Sequence, residues 1–293
     1  MRRTALLACT GLAALLLTAC ATQLVEAPPS ELRPAGGKSL VFQQKSLAPA
    51  SGERAITAAD LRAGDILLSA EASLRSSGIR IVTLAPVSHS AIYLGDDQVA
   101  EALGGGVGLR SVPAMLAEES VIAVYRHPRV DAELGGRIAA EARARVGRGY
   151  DFVGAFLYVP FSAQRQACEL PALPTPLRQA CISLLASVQL GVREPEERFF
   201  CSAFVLEAYR DAGLPLTQAR ARWLTPADIL HMREGDVSAL PVEQPLVYVG
   251  HLKKTPWAMD MPAFELPLPS SYPIPVLPPG QAVPDPSPRL PAP

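Results

Sequence analysis

The sequence predicts an α+β fold, on two observations. Strand-like and helix-like patterns come in clusters along the chain and do not alternate one for one. Two of the strand patterns are joined by a tight turn and read as a hairpin. Residues 65–69 are a short apolar strand after the turn at Ala63-Gly64. Residues 87–94 alternate as a strand, Gly95-Asp96-Asp97 makes the turn, and residues 98–103 return. Residues 121–125 are a further apolar strand. Leu134, Ile138, Ala142 and Val146 repeat at helical spacing over 131–146, and Gly147 ends that helix. A second helix covers 201–212, closed by Gly213 with Pro215 beyond. Residues 247–251 are the last strand. Gly104-Gly105-Gly106-Val107-Gly108 follows the hairpin with no strand-to-helix crossover, so it reads as a loop and not as a phosphate cradle. No internal repeat is present.

The chain ends read differently from this body. Arg2 and Arg3 precede an apolar run over 5–8 and 12–17. That run is too short to span a bilayer, which takes about 20 apolar residues, and it has the form of a cleavable secretion signal. Leu17-Thr18-Ala19-Cys20 resembles the lipobox of bacterial lipoproteins. The resemblance implies a signal peptide over 1–19, lipid on the Cys20 thiol and its new amine, and a membrane as partner through those chains. Ala21 and Thr22 follow the cysteine, where inner-membrane lipoproteins often carry Asp, so the outer membrane facing the periplasm is the expected location. Residues 20–52 read as the lipidated N-terminus and a spacer. Residues 256–293 are a Pro-rich tail, since proline lacks the donor that helices and ladders use. The body is 53–255.

Composition narrows the partners. The precursor has 293 residues and a formal net charge of −1, enough chain for one sizeable core. Near-neutral charge with no long basic run argues against nucleic acid. There is no His-x-x-x-His and no Cys-x-x-Cys, so neither metal nor cofactor is expected. Of the five cysteines, Cys9 leaves with the leader and Cys20 is lipidated. Cys168 and Cys181 flank a Pro-containing segment and are disulfide candidates in an oxidising compartment. Cys201 is left over, as a reactive thiol or as a small buried hydrophobe.

A nucleophilic cysteine needs a thiolate and a nearby base. Cys201 opens a helix whose Phe204, Val205 and Ala208 lie three, four and seven residues on, so it falls on the inward face. The free N–H groups at a helix start favour negative charge on sulfur and can hold an oxyanion. His127, His231 and His251 sit in turns or beside lysines and read as surface histidines. His89 lies inside a strand, on one face with Val87, Ala91 and Tyr93. A three-residue turn would pair Ala91 with Glu101 and put Glu101 on that face; a two-residue turn would put it on the other. Glu101 is either the third member of a triad or a solvated carboxylate.

Four pieces, in order, carry a family resemblance. They are Leu61-Arg62-Ala63-Gly64-Asp65-Ile66-Leu67; Ser88-His89-Ser90-Ala91-Ile92-Tyr93-Leu94-Gly95-Asp96 with Val99-Ala100-Glu101-Ala102; Gly147-Arg148-Gly149-Tyr150-Asp151-Phe152; and Phe200-Cys201-Ser202-Ala203-Phe204-Val205 followed by Thr225-Pro226-Ala227-Asp228. The set, over roughly 60–230, resembles the permuted branch of the NlpC-type papain-like cysteine hydrolases, the YiiX/YaeF-like group. The histidine precedes the cysteine, as the circular permutation requires. The resemblance implies a small antiparallel sheet packed on a helix that carries the nucleophile. It implies Cys201 as nucleophile, His89 as base, Glu101 as polar third member and Tyr150 as a substrate-lining residue. Two departures are Ala203, where many relatives carry Glu or Gly, and an insertion over 161–192. In the insertion Leu177, Cys181, Leu184, Leu185 and Val188 have helical spacing, as a lid or a packing element.

The expected function is a lipid-anchored cysteine hydrolase of amidase or peptidase type, with peptidoglycan stem peptides as the abundant amides within reach. A lipid acyl hydrolase or acyltransferase of the same superfamily is the second reading. A catalytically idle binding lipoprotein is the third.

Overall fold

The computed structural model describes residues 22–26, 38–44, 46–49, 52–71, 76, 80, 85–150, 168, 175–189 and 198–254. The leader, Cys20 and the tail over 256–293 lie outside the described residues. A six-stranded antiparallel sheet is the centre of the fold, with helices on it. The fold is α+β, as the sequence predicts.

Strands β1 (Thr22–Glu26) and β2 (Lys38–Phe42) pair with each other in a separate two-stranded sheet. The main sheet contains β3 (Ile66–Glu71), β4 (His89–Gly95), β5 (Gln98–Leu103), β6 (Gly106–Ser111), β7 (Glu119–Arg126) and, from the far end of the chain, β10 (Val247–Lys254). Its order is β10-β7-β3-β4-β5-β6. Five helices complete the description: α1 (Val112–Glu118), α2 (Ala132–Arg143), α3 (Thr175–Gln189), α4 (Cys201–Asp211) and α5 (Pro226–Leu230). Two short strands, β8 (Gly149–Tyr150) and β9 (Arg198–Phe199), pair parallel just ahead of α4.

Both faces of the sheet are covered, which is why its strands read as nearly continuous apolar runs. Period-two alternation sends Ile66, Leu68, Ile92, Ala100, Ala123 and Tyr125 into one core, with α2 and α4 over them. Leu67, Ala91, Tyr93, Val99, Ile122 and Val124 point to a second core closed by Val112 and Met115 of α1. Asp131 caps α2 by accepting from the Leu134 N–H at 2.8 Å, and Gly147 follows its end at φ +87°. Gly213 plays that part after α4, also at φ +87°.

The structure corrects two sequence readings and adds a helix. The glycine-rich stretch 104–108 is only partly a loop, because β6 begins at Gly106 and pairs back on β5 from Leu103↔Gly106 to Gln98↔Ser111. Gly106 has φ +116°, and a Cβ there would come within 2.4 Å of the Arg148 carbonyl oxygen, so the position demands glycine. Helix α1 carried no long apolar period, and its seven residues are set instead by Ser111 as N-cap and Pro113 in the first turn. The spacer reading overlooked 43–49, where Leu47 is fully buried and its carbonyl accepts hydrogen bonds from Tyr125 and Arg233.

Candidate active site

The turn between β4 and β5 decides whether His89 and Glu101 share a face. Asp96 and Asp97 form a two-residue turn, both with positive φ (50° and 55°). Taken alone, that would turn Glu101 away from His89. An irregularity between Tyr93 and Gly95 adds one residue to β4 and restores the parity, so Ala91 pairs with Glu101, the pairing a three-residue turn would also give. The outcome is a direct contact: His89 Nε2 lies 2.8 Å from Glu101 Oε2. Both residues are buried, so the bond is little screened by solvent.

Cys201 arrives from the other side of the sheet. It opens α4, which packs over β4 and β5. The N-cap residue Phe200 makes no side-chain cap bond to the first turn, and a helix start favours an anion. Ser202 is fully buried and donates its hydroxyl to the Leu224 carbonyl, which fixes the start of the helix. Beyond Leu224 the Thr225-Pro226-Ala227-Asp228 piece is a capping box for α5, with Asp228 N–H bonded to Thr225 Oγ1 and Thr225 N–H to Asp228 Oδ2.

The pairing of β4 with β5 ends at Ala91↔Glu101. Cys201, coming from the α4 side, meets His89 there, and the Ser90 backbone N–H faces the sulfur. Glu101 occupies His89 Nε2, which leaves Nδ1 for Cys201. Burial opposes charge on all three groups, and their neighbours favour it. Burial penalises the His89 imidazolium, but hydrogen bonds to Cys201 and Glu101 outweigh it and lift the pKa to about 10. Burial raises the Cys201 thiol, and the His89 hydrogen bond and charge, with Ser90, bring it below its ordinary value. Glu101 is likewise pushed up by burial and pulled further down by His89 and then Arg110. The arrangement stabilises a thiolate–imidazolium pair, which is the reactive form of a cysteine nucleophile.

Sequence reasoning missed Arg110 and Ser90. Arg110, on β6 two residues from the partner of Glu101, has Nε 2.8 Å from Glu101 Oε1 as an ion-pair contact. Its Nη2 donates to Glu101 Oε2 at 3.0 Å and to Glu119 at 3.1 Å, and Nη1 reaches Glu118 at 2.8 Å. The available signal was register alone: Arg110 pairs with Val99, so it shares a face with Glu101.

Tyr150 is partly buried against the α4-side core and pairs with Phe199, two residues before Cys201. Cys168 and Cys181 are joined by a disulfide with Cα atoms 5.6 Å apart, and among the described residues Cys201 is the free cysteine. On α3, Leu177 and Leu184 are exposed while Arg178 and Ile182 are buried.

The three other histidines are not at the surface. His127, His231 and His251 are all buried. His231 is paired with Asp236 at 3.0 Å, His251 bonds Tyr248, and His127 accepts from the Arg129 N–H at 3.2 Å. Their places after a strand, after a helix and near lysines read as exposed, but the fold buries them. Among the described residues no group of three or more His, Cys, Asp and Glu could hold a metal, and no helix is long and apolar enough to cross a membrane.

No family model matches the chain. A search of solved structures finds the crystal structure of metalloprotein yiiX from Escherichia coli O157:H7, at a TM-score of 0.37 and 18% identity, over 54% of this chain and 71% of that one. Among curated proteins the chain is 40% identical over 244 residues to "Probable lipoprotein peptidase YaeF" of Escherichia coli (strain K12), covering 82% of this chain and 89% of that protein. The four ordered sequence pieces all fall in the body, and an identity of this extent shows the family: the chain belongs to the family of the lipoprotein peptidase YaeF.

Proposed function

We propose that this protein is a lipid-anchored cysteine peptidase or amidase whose nucleophile is Cys201. The observation that carries the reading is the buried chain of contacts from Glu101 through His89 to Cys201. The thiolate adds to a substrate carbonyl, and N–H groups at the start of α4 stabilise the oxyanion. His89 gives its proton to the departing amine, leaving an acyl-enzyme. His89 then takes a proton from water, the hydroxide attacks the thioester, and the thiolate leaves. Glu101 holds the imidazole in one orientation throughout and stabilises its charged form.

The relative's name and the lipobox-like Leu17-Thr18-Ala19-Cys20 support attachment through lipid on Cys20. With Ala21 after the cysteine, the outer membrane facing the periplasm is the proposed site. Peptidoglycan stem peptides are the proposed substrates, since they are the abundant amides there. Replacing Cys20 with Ser is expected to release the protein from the membrane fraction.

Activity on muropeptide fragments and on short-chain acyl esters, with Cys201→Ala as control, tests the reaction. Release of new amines by the parent protein alone supports the reading. Ester cleavage without amide cleavage would replace it with a lipid acyl hydrolase. No turnover of either, with a thiol of ordinary pKa, would leave a binding lipoprotein.

A further inference from the structure

We propose that Arg110 is a positioning residue of the Cys201 site, holding Glu101 ionised and fixed so that His89 stays charged beside the sulfur. This rests on the cysteine hydrolase reading and deepens it. Two contacts carry it. Nε of Arg110 faces one oxygen of Glu101 at 2.8 Å, and Nη2 bonds the other at 3.0 Å, the same oxygen that His89 holds at 2.8 Å. A carboxylate held at both oxygens cannot swing, and the ring bonded to it keeps one face towards Cys201.

Several charged groups among the described residues face this point. His89 comes from β4 and Glu101 from β5. Glu118 ends α1 and Glu119 begins β7, and both pair with Arg110. Glu71 of β3 stands opposite Glu119 in the ladder. Cys201 approaches from α4. Glu101 is the buried carboxylate bonded to the catalytic imidazole, and without Arg110 it would face Glu119 with His89 as its cation. It would then take up a proton at higher pH. A neutral Glu101 no longer favours the imidazolium, and the thiolate loses its partner on the acid side.

The test is the pH dependence of Cys201 alkylation by iodoacetamide in the full-length protein, with the modified residue located by peptide mapping. Arg110→Gln combined with Glu119→Gln keeps the buried charge balanced, and melting curves report whether it is folded. In that variant the acid limb of the rate is expected to rise by about one pH unit or more. Arg110→Lys keeps the charge but cannot grip both oxygens, so its limb should fall between the parent and the double variant. A folded double variant with the parent's limb overturns the proposal. Should the double variant fail to fold, the Lys variant decides: a raised limb supports the proposal, and a limb identical to the parent's overturns it. Failure of the underlying reading looks different, with a parent thiol titrating near its ordinary value of about 8.5 and indifferent to His89→Ala.

Discussion

At the residue scale, the site is a case of charges kept by their neighbours against burial. His89, with its pKa lifted to about 10, keeps its proton through neutral pH. The thiol of Cys201 is lowered by His89, so its thiolate forms at lower pH than an ordinary thiol's. Hydrolysis should therefore fall on the alkaline side as pH passes about 10, when His89 loses its proton, and on the acid side when Cys201 regains one. Removing Glu101 removes one of the groups that raise His89. Glu101→Gln should move the alkaline limb of the rate profile down, and a limb unmoved would mean that Glu101 is not coupled to the base. His89→Ala should cost about 10²–10⁴-fold in kcat, read in the amide-release assay. Cys201 and His89 were legible in the sequence because each residue type sits in a pattern that serves it, a helix start and a strand. Arg110 was not legible, since a lone arginine after a glycine-rich stretch looks like any solvated charge until β6 is paired to β5.

At the scale of elements, the β4–β5 turn is the most informative piece. A turn of three residues was the expectation that put Glu101 beside His89. The chain reaches the same pairing by two turn residues plus one extra residue in β4. The sequence left both parities open, because aspartate tolerates positive φ nearly as well inside a turn as beside a bulge. Positive φ at Asp96 and Asp97 makes a mutational prediction. Asp97→Gly should leave stability unchanged or slightly raised, whereas Asp97→Val should cost about 1–3 kcal/mol by denaturant titration. In Asp97→Val the alkylation profile of Cys201 should hold in whatever fraction stays folded. The helices were visible where they carry a long apolar stripe, as α2 and α4 do. Helix α1 was hidden because seven residues give too few repeats of a 3.6-residue period.

At the scale of the molecule, contacts between distant parts of the chain complete the body. Leu47 lies in the core although its neighbours in sequence read as linker. Its carbonyl accepts from Tyr125 and Arg233, Gln43 donates to the Val237 carbonyl at 3.2 Å, and Asp236 bonds the Gln44 N–H at 2.8 Å. No local period announces such a plug, because its partners lie up to 194 residues away. Leu47→Ala should destabilise the fold by about 2–5 kcal/mol, measured by chemical unfolding. A loss within a few tenths of a kcal/mol would mean that the segment merely rests on the surface.

The late arrival of β10 has a consequence for chains that stop early. Strand β7 is buried between β3 and β10, and its run Val121–Tyr125 is apolar throughout. A chain ending before residue 247 would leave that run as a naked edge, ready to stick to another of its kind. The finished protein ends its sheet differently. Strand β10 is broken by two irregularities, carries Lys253 and Lys254, and is overlaid by residues 54–56, whose backbone bonds His251 in both directions. Strand β10 thus covers an edge that would otherwise be bare, and chains truncated before it should clump or be degraded even when every residue of the Cys201 site is present.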